Sequence, residues 1–322
     1  MQQQHSPSGF VSHRPALTYN GDGGTYFGIL LVNALLTTVT LGFYYPWAKA
    51  KKLQYVYSST ELDGSRFAWH GTGNEMFKGF LKTLAVLAAF FGARYLLDKI
   101  GLGIITPFLT LAVVALVVPF AIHSSNRYHW SRTSWRGIRF GYRGDRKELS
   151  GIFLGSFALT VVTLGIYSSW MAINMRNYVL SKIRFGSGEF KYEGRGGEYF
   201  ALNLKGFILT FLTLGIYSFW WQADQYRYLV DNLSLEHEGK SFRLRSTAEG
   251  TEFAGLLIVN AILLVFTLGL AFAWVETRTM SFLMSHVEIE GDIELSQLAQ
   301  TEEEYRDAMG EDMADLLDIN VI

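Results

Sequence analysis

Long apolar runs separated by polar segments dominate the hydrophobic pattern of this chain. Helical residues rise about 1.5 Å each, so about 20 of them cross the roughly 30 Å hydrocarbon core of a bilayer. Six runs reach that length, at residues 27–48, 77–97, 104–122, 151–173, 200–223 and 253–275. The pattern therefore predicts a mainly α, polytopic transmembrane helical protein with about six spans.

Four of these runs share a motif in which Thr-Leu-Gly is followed by a Trp seven residues after the Thr. An aromatic residue stands eight positions after each Trp, and a small or polar residue stands seven positions before each Thr. Agreement at so many offsets predicts internal repeats. The motif residues are Thr40, Gly42 and Trp47; Thr163, Gly165 and Trp170; Thr213, Gly215 and Trp220; and Thr267, Gly269 and Trp274.

The spacing of the motif divides the chain into units at about 19–68, 69–139, 140–189, 190–241 and 242–293. The second unit lacks Thr-Leu-Gly and contains two apolar runs. Short alternating segments close the units and predict extramembrane β-strands or hairpins between the spans. We expect a disordered tail at 1–18, a repeat-built transmembrane domain at 19–296 and an acidic tail at 297–322.

Two arrangements of the units fit the pattern. If each unit crosses once, neighbouring units point in opposite directions, as in many secondary transporters. If Thr-Leu-Gly forms the tip of a helical hairpin, all the β-segments lie on one side. Charges after the Trp residues, such as Lys49, Arg176 and Asp224, make a deep second helix costly, which favours single crossing. A modest excess of Lys and Arg in the odd-numbered loops would then put both termini outside.

Composition excludes several classes of protein. Charged residues make up 18% of the chain, against about 25% in soluble domains, which argues against a soluble enzyme. The net charge of −1 argues against a nucleic-acid binder. The absence of Cys excludes disulfides and thiol catalysis, and the seven His form no metal-binding motif. No hydrolase motif occurs either, so we predict no enzyme, no metal and no cofactor.

Polar residues inside the apolar runs are the candidate intramembrane contacts, because polar groups are costly in hydrocarbon. Asn33 and Asn260 occupy equivalent mid-span positions, and Asn203 and Lys205 lie near the start of the fifth run. A structural interpretation makes the Asn residues interhelical hydrogen-bond donors and lets Lys205 extend towards the interface. A functional interpretation makes them the lining of a water-filled pocket between repeats.

The order of these motifs resembles the YjgN-like family of bacterial inner-membrane proteins, a family named as a domain of unknown function. The resemblance rests on a Gly-rich segment before each run, on Thr-Leu-Gly-[Ile/Phe]-Tyr-x-x-Trp, and on the aromatic residue and strand that follow. It covers residues from about 10 to 293. It implies a multi-pass protein of the bacterial inner (plasma) membrane, and it implies no activity, cofactor or catalytic residue.

The function predicted from these features is a small-solute transporter or channel. Repeats, mid-span Asn residues and closely spaced glycines support that prediction. The alternative is a structural or interaction membrane protein, a scaffold or lipid-binding platform without transport or catalysis. Its partners would be the lipid bilayer and, through the β-segments or the acidic tail, a second copy or another protein, with no nucleic acid.

Overall fold

The computed structural model describes residues 17–291, in which pairs of helices alternate with pairs of short strands. The helices are α1 Gly23–Val39, α2 Tyr45–Ser59, α3 Gly73–Lys99, α4 Thr106–Ser131, α5 Arg146–Val162, α6 Ser168–Ser181, α7 Gly196–Leu212, α8 Ser218–Asp231, α9 Gly250–Phe266 and α10 Phe272–Ser285. The strands are β1 Leu17–Tyr19, β2 Thr60–Leu62, β3 Ser65–Trp69, β4 Thr133–Trp135, β5 Ile138–Tyr142, β6 Ile183–Phe185, β7 Gly188–Tyr192, β8 Leu233–His237, β9 Lys240–Ser246 and β10 Val287–Gly291.

In four of the five pairs, the first helix begins at a polar residue whose side chain accepts from a free N–H group of the helix, and α7 is the exception. Asp22 and Asp145 accept hydrogen bonds from the N–H three residues later, at 2.6 and 2.8 Å. Thr72 forms a capping box with Glu75, in which each side chain bonds the other residue's N–H. An N-cap of this kind stabilises a helix by about 1 kcal/mol. The Gly-rich segments of the sequence are therefore helix starts.

The prediction of about six single-crossing spans is wrong. Four of the six apolar runs contain the end of one helix, a reversal at Thr-Leu-Gly and the start of the next helix. A run of 20 apolar residues fits a hairpin tip as well as a straight span, and the hydropathy pattern does not distinguish the two. Only the runs at 77–97 and 104–122 lie within single helices, α3 and α4.

The strands form one continuous ten-stranded sheet, so the prediction of short β-strands or hairpins between spans is also wrong. All neighbouring strands are antiparallel, and their spatial order equals their sequence order from β1 to β10. The sheet curls until it is nearly closed. Strands of three to seven residues are too short to be stable alone, so joining strands from successive units stabilises all of them. The fold is thus mixed, with a helical part and a sheet part.

The core of the sheet is a cluster of large apolar side chains contributed by strands of successive units. Trp135, Phe140 and Phe185 are buried there with Leu235 and Phe242. The rings of Phe140 and Phe185 stack with centroids 4.4 Å apart across the β5–β6 pair. Burial of each such ring stabilises the fold by about 1.5–3 kcal/mol. Pairing between units is therefore held by side chains as well as by the backbone.

The first and last units of the described chain are neighbours in space. Helix α10 packs against both α1 and β1. Lys52 Nζ on α2 lies 2.7 Å from Glu276 Oε1 on α10. Because each helical hairpin also packs against the next one along the chain, the hairpins close into a ring beside the sheet.

Helix length divides the ring into short and long hairpins. Helices α1, α5, α7 and α9 have 17 residues each, and their partners have 14 or 15. By contrast, α3 has 27 residues and α4 has 26. In the described part of the chain, the segments long and apolar enough to cross a membrane are the two at Gly73–Lys99 and Gly103–Ser131.

Candidate membrane-contact site

The turn that joins the two helices of each short hairpin is the first candidate feature. In the third unit, Thr163 Oγ1 donates to Leu159 O at 2.7 Å and accepts from Tyr167 N at 3.0 Å. The next two residues are left-handed, with φ of 50° at Leu164 and 93° at Gly165. Equivalent bonds and angles occur at the turns that contain Thr40, Thr213 and Thr267.

Leucine is an unusual residue for a left-handed position. This conformation costs an L-residue other than Gly, Asn or Asp about 1–2 kcal/mol. All four turns nevertheless carry Leu there, and its side chain is 90–94% exposed at Leu41, Leu164, Leu214 and Leu268. A strained apolar residue with nothing packed on it suggests that the tip has a function.

The hairpins of the sheet use the same backbone conformation with the opposite chemistry. Asp63, Arg136 and Glu238 have φ of 48–49° and are each followed by a left-handed Gly. Charged residues thus occupy the left-handed position in three of the four sheet turns, Gly186 occupies it in the fourth, and Leu occupies it at all four short helical tips. The two ends therefore suit different surroundings, polar at the sheet and apolar at the tips.

The long hairpin ends differently from the four short ones. Its reversal at Gly101 is preceded by Arg94, Asp98 and Lys99, all exposed. Lys99 Nζ lies 5.3 Å from the centre of the Tyr95 ring, where it gains a cation–π contact. This tip carries charge, whereas Thr-Leu-Gly tips carry none.

The Trp of each motif joins one hairpin to the next. A Cβ placed on Gly196, the first residue of α7, would lie 2.3 Å from Trp170 Cδ1 of the preceding hairpin. Trp47 meets Gly73 in the same way, and Trp220 meets Gly250. Trp274 of the last unit meets Gly23 of the first, which closes the ring. The Trp residues of the motif therefore form the contacts between hairpins.

The second unit, which lacks the motif, joins its neighbour by other residues. Phe120 stands eight positions before Tyr128, where the other units have Trp, and Arg146 begins α5 where other units have Gly. The Arg146 guanidinium lies 4.7 Å from the centre of the Phe120 ring. A cation–π contact thus replaces the indole–glycine contact at this junction.

Asn33 and Asn260 are buried between the two helices of their own hairpins. Asn33 Nδ2 donates to Ala48 O at 3.2 Å, and Asn260 Nδ2 donates to Thr279 Oγ1 at 3.0 Å. The Oδ1 atom of each is buried and has no hydrogen-bond partner within residues 17–291. At the equivalent position of the third unit, Ser156 accepts from Asn174 at 3.3 Å. This arrangement fits interhelical bonding within a hairpin.

The other two candidate contacts lie apart from each other. Asn203 Oδ1 accepts from Trp221 Nε1 at 3.1 Å and from Gln225 Nε2 at 2.6 Å, which ties α7 to α8. Lys205 is exposed on α7. The structure therefore assigns Asn203 to the hairpin interior and Lys205 to its surface.

Tyrosines hold the base of each hairpin in a way that sequence reasoning missed. Tyr178 Oη accepts from Asp145 N at 2.8 Å and donates to Asp145 O at 2.9 Å, so the end of α6 holds the cap of α5. Tyr55 and Tyr228 make the same pair of bonds to Asp22 and Arg195. The constant spacing of eight residues after the Trp was the available signal.

A second set of tyrosines packs on the Gly-rich turns. A Cβ on Gly21 would lie 2.5 Å from the ring of Tyr19, and one on Gly194 would lie 2.5 Å from Tyr192. Burial raises the pKa of Tyr19 and of Tyr192 to about 12, so both remain neutral phenols at any physiological pH. In residues 17–291 no group of three His, Asp or Glu side chains is placed to hold a metal ion.

Taken together, these features define a ring of helical hairpins with apolar tips on one side and a charged sheet on the other. The chain belongs to the family described as bacterial protein of unknown function (DUF898), which matches residues 14–193, 187–242 and 236–316. This confirms the resemblance seen in the sequence. No solved structure matches the chain.

Curated relatives carry a name that bears on location. The chain is 30% identical over 179 residues to inner membrane protein YjgN of Salmonella typhimurium, in an alignment covering 55% of this chain and 41% of the relative. It is 33% identical over 147 residues to the YjgN protein of Escherichia coli O157:H7, covering 46% and 35%. The aligned part of this chain thus spans less than half the length of these relatives.

Proposed function

We propose that this protein is a ring-shaped platform embedded in the bacterial inner membrane from one side. Four short hairpins end inside the bilayer, and the long hairpin crosses it. The observation that carries the proposal is the contrast at one backbone conformation, with Leu at all four short helical tips and a charged residue at three of the four sheet turns. The names of the relatives support the location.

Distances along the helices set the depth of the short hairpins. The first charged residue after each tip sets the depth. Lys49 follows Leu41 by eight residues and Asp224 follows Leu214 by ten, which correspond to about 12 Å and 15 Å at the helical rise per residue. Half of the hydrocarbon core is also about 15 Å. If the charges stay at the polar boundary, the leucine tips reach about the middle of the bilayer. The charges that argued against a second deep helix are thus compatible with hairpins that enter one leaflet.

The length of the long hairpin agrees with the same position of the ring in the bilayer. Helix α3 has 27 residues against 17 for α1, so its tip reaches about 15 Å further. That extra length equals the second half of the hydrocarbon core. Asp98 and Lys99 then reach the far polar boundary, which explains why this tip alone among the described ones is charged. Arg94 lies five residues, or about 7.5 Å, before Lys99 and can extend its long side chain towards the same boundary.

The distribution of basic residues orients the ring. The segment that ends α4 and leads into α5 contains Arg127, Arg132, Arg136, Arg139, Arg143, Arg146 and Lys147. The far tip has Arg94 and Lys99. Basic residues favour the cytoplasmic side, so the sheet is assigned to the cytoplasm and the long tip to the periplasm. This orientation replaces the one inferred from six spans.

A platform accounts for the polar residues better than a transporter does. Transport was predicted from a water-lined pocket at Asn33 and Asn260, and each of these instead donates its hydrogen bond within its own hairpin. The four apolar tips offer lipid contact over a wide ring, and the sheet offers a cytoplasmic surface. We therefore assign a structural or lipid-organising role without catalysis.

The test uses single cysteines, because the chain has none of its own. Cysteines at Ser187, Lys240 and Lys99 are treated with an impermeant maleimide in intact cells and again after permeabilisation. We expect Lys99→Cys to react in intact cells, and Ser187→Cys and Lys240→Cys to react only after permeabilisation. Labelling of Ser187→Cys and Lys240→Cys from opposite sides would overturn the platform, because both lie in the same sheet.

A further inference from the structure

A groove at the base of the last hairpin has the chemistry of a phospholipid site. It lies between α9 and α10 and has a volume of about 550 Å³. Ligand pockets in proteins measure about 300–1,000 Å³, so the groove can hold a headgroup and the start of an acyl chain. Its walls combine Arg278, Ser281 and Ser285 on α10 with Gly255 and Val259 on α9.

Interactions at both ends hold the groove open. Towards the tip, Asn260 Nδ2 donates to Thr279 Oγ1 at 3.0 Å and joins the two helices. Towards the sheet, His286 Nε2 lies 3.3 Å from Glu252 Oε2. That same Glu252 oxygen accepts from Glu249 N at 3.1 Å in a capping box, so this carboxylate is already engaged.

Two polar side chains of the groove, Arg278 and Ser281, are left for a ligand, whereas Ser285 Oγ already donates to Phe282 O at 3.1 Å. Arg278 is exposed and has no ion-pair or hydrogen-bond partner among residues 17–291. Ser281 lies one helical turn further along the same side of α10, and Ser285 one turn beyond that. An arginine with a free hydroxyl one helical turn away suits a phosphate group. On α9, Gly255, Leu256 and Val259 form an apolar stretch of wall beyond Glu252, and a side chain added at Gly255 would meet nothing within 4 Å.

The depth of the groove matches the phosphate layer of a bilayer. From Leu268 at the tip to Arg278 there are ten residues, or about 15 Å, and to Ser285 there are 17, or about 25 Å. With tips at the bilayer middle, phosphates lie about 20 Å away, since a bilayer with its headgroups is about 40–45 Å thick. This step rests on the membrane insertion proposed above.

We propose that the groove binds one glycerophospholipid. Its phosphate contacts Arg278 and Ser281, and the first part of one acyl chain lies over Gly255 and Val259. The ligand is a membrane lipid rather than free phosphate, because half of the residues that line the groove are apolar. In this way the ring would hold a lipid of the leaflet it enters.

The experiment is native mass spectrometry of the full chain in detergent micelles with added phosphatidylglycerol. Arg278→Gln removes the charged donor, and Gly255→Leu fills the acyl part of the groove. Gly151→Leu is the matched control, because it also points into open space at the equivalent position of the third hairpin, where Asn174 replaces Arg278. We expect Arg278→Gln to weaken retention of one lipid about tenfold, the effect of a charge-assisted hydrogen bond. Gly255→Leu should abolish retention, and Gly151→Leu should leave it unchanged.

Three outcomes would overturn the site. Retention unaffected by both Arg278→Gln and Gly255→Leu places the lipid elsewhere. Equal loss in Gly151→Leu means that bulk on any hairpin disturbs lipid contact. Complete displacement by inorganic phosphate alone means that the groove takes the free anion. Because retention is measured in micelles, failure of the site is separate from failure of membrane insertion, which the cysteine labelling tests.

Discussion

The contact between Trp170 and Gly196 gives the sharpest prediction about how the ring is held together. A Cβ on Gly196 would lie 2.3 Å from Trp170 Cδ1 and 2.8 Å from the Trp170 Cα atom, so rotation of the side chain alone cannot relieve the clash. Overpacking of this kind costs about 1–3 kcal/mol. Alanine gains up to about 1 kcal/mol of helix propensity over glycine, which offsets part of the cost.

The neighbouring glycine supplies the control. Gly197 lies in the same first turn of α7, and a Cβ there meets nothing within 4 Å. We expect the Tm of detergent-solubilised Gly196→Ala to lie about 2–6 °C below that of Gly197→Ala, at about 2 °C per kcal/mol, because the gain in helix propensity is common to both variants and only the clash differs. Gly197→Ala should leave the Tm unchanged or raise it. Equal Tm values for the two variants would refute the contact.

Three further predictions concern the base and interior of the hairpins. Tyr178→Phe should destabilise the protein by about 1–2 kcal/mol in thermal unfolding, because it removes the hydroxyl bonded to Asp145 and keeps the ring. The last unit already has a phenylalanine, Phe282, at the equivalent position. Asn260→Leu should lower the free energy of unfolding by about 0.6–2 kcal/mol without blocking membrane insertion. Adding Thr279→Val should lower it little further, because the two substitutions remove the same hydrogen bond. The N–H of Glu148 lowers the pKa of the Asp145 carboxyl in the folded protein. The ionised carboxylate therefore stabilises the fold at pH values above the usual aspartate pKa of about 4, and this stabilisation is lost as the pH falls through the lower pKa of the folded state. Asp145→Asn keeps the cap but does not titrate, so it should flatten that part of the Tm–pH curve.

The sequence showed the recurring motifs but not the direction of the chain through them. Thr-Leu-Gly was visible as a motif, and the Gly at its end is the residue that a left-handed turn needs. A hydropathy pattern records how many apolar residues follow one another and does not show where the chain turns back. The 20-residue run through Leu164 therefore had the pattern of a single span. The strands were predicted as alternating segments. Their union into one sheet depends on contacts between units, such as Phe140 on Phe185, which no local pattern records.

The sequence identified several residues of the candidate site, but it did not show which other residues they contact. Asn33 and Asn260 were identified as equivalent, and each donates a hydrogen bond to the other helix of its own hairpin. The role of Trp170 as a contact on Gly196 required knowing which helices are neighbours. The groove at Arg278 depends on the separation of α9 and α10, a property of packing alone. The tails predicted at 1–18 and 297–322 lie largely outside the described residues.

The depth of the hairpin tips tests the central claim most directly. Spin labels at Leu164→Cys and Leu214→Cys, with Leu102→Cys on the long hairpin, are compared in reconstituted bilayers for collisions with oxygen and with a water-soluble nickel complex. We predict that the labels at Leu164 and Leu214 favour oxygen strongly, as at the bilayer middle, and that the label at Leu102 favours the nickel complex. Access of the nickel complex to Leu164 and Leu214 equal to that at Leu102 would contradict insertion of the short hairpins into one leaflet.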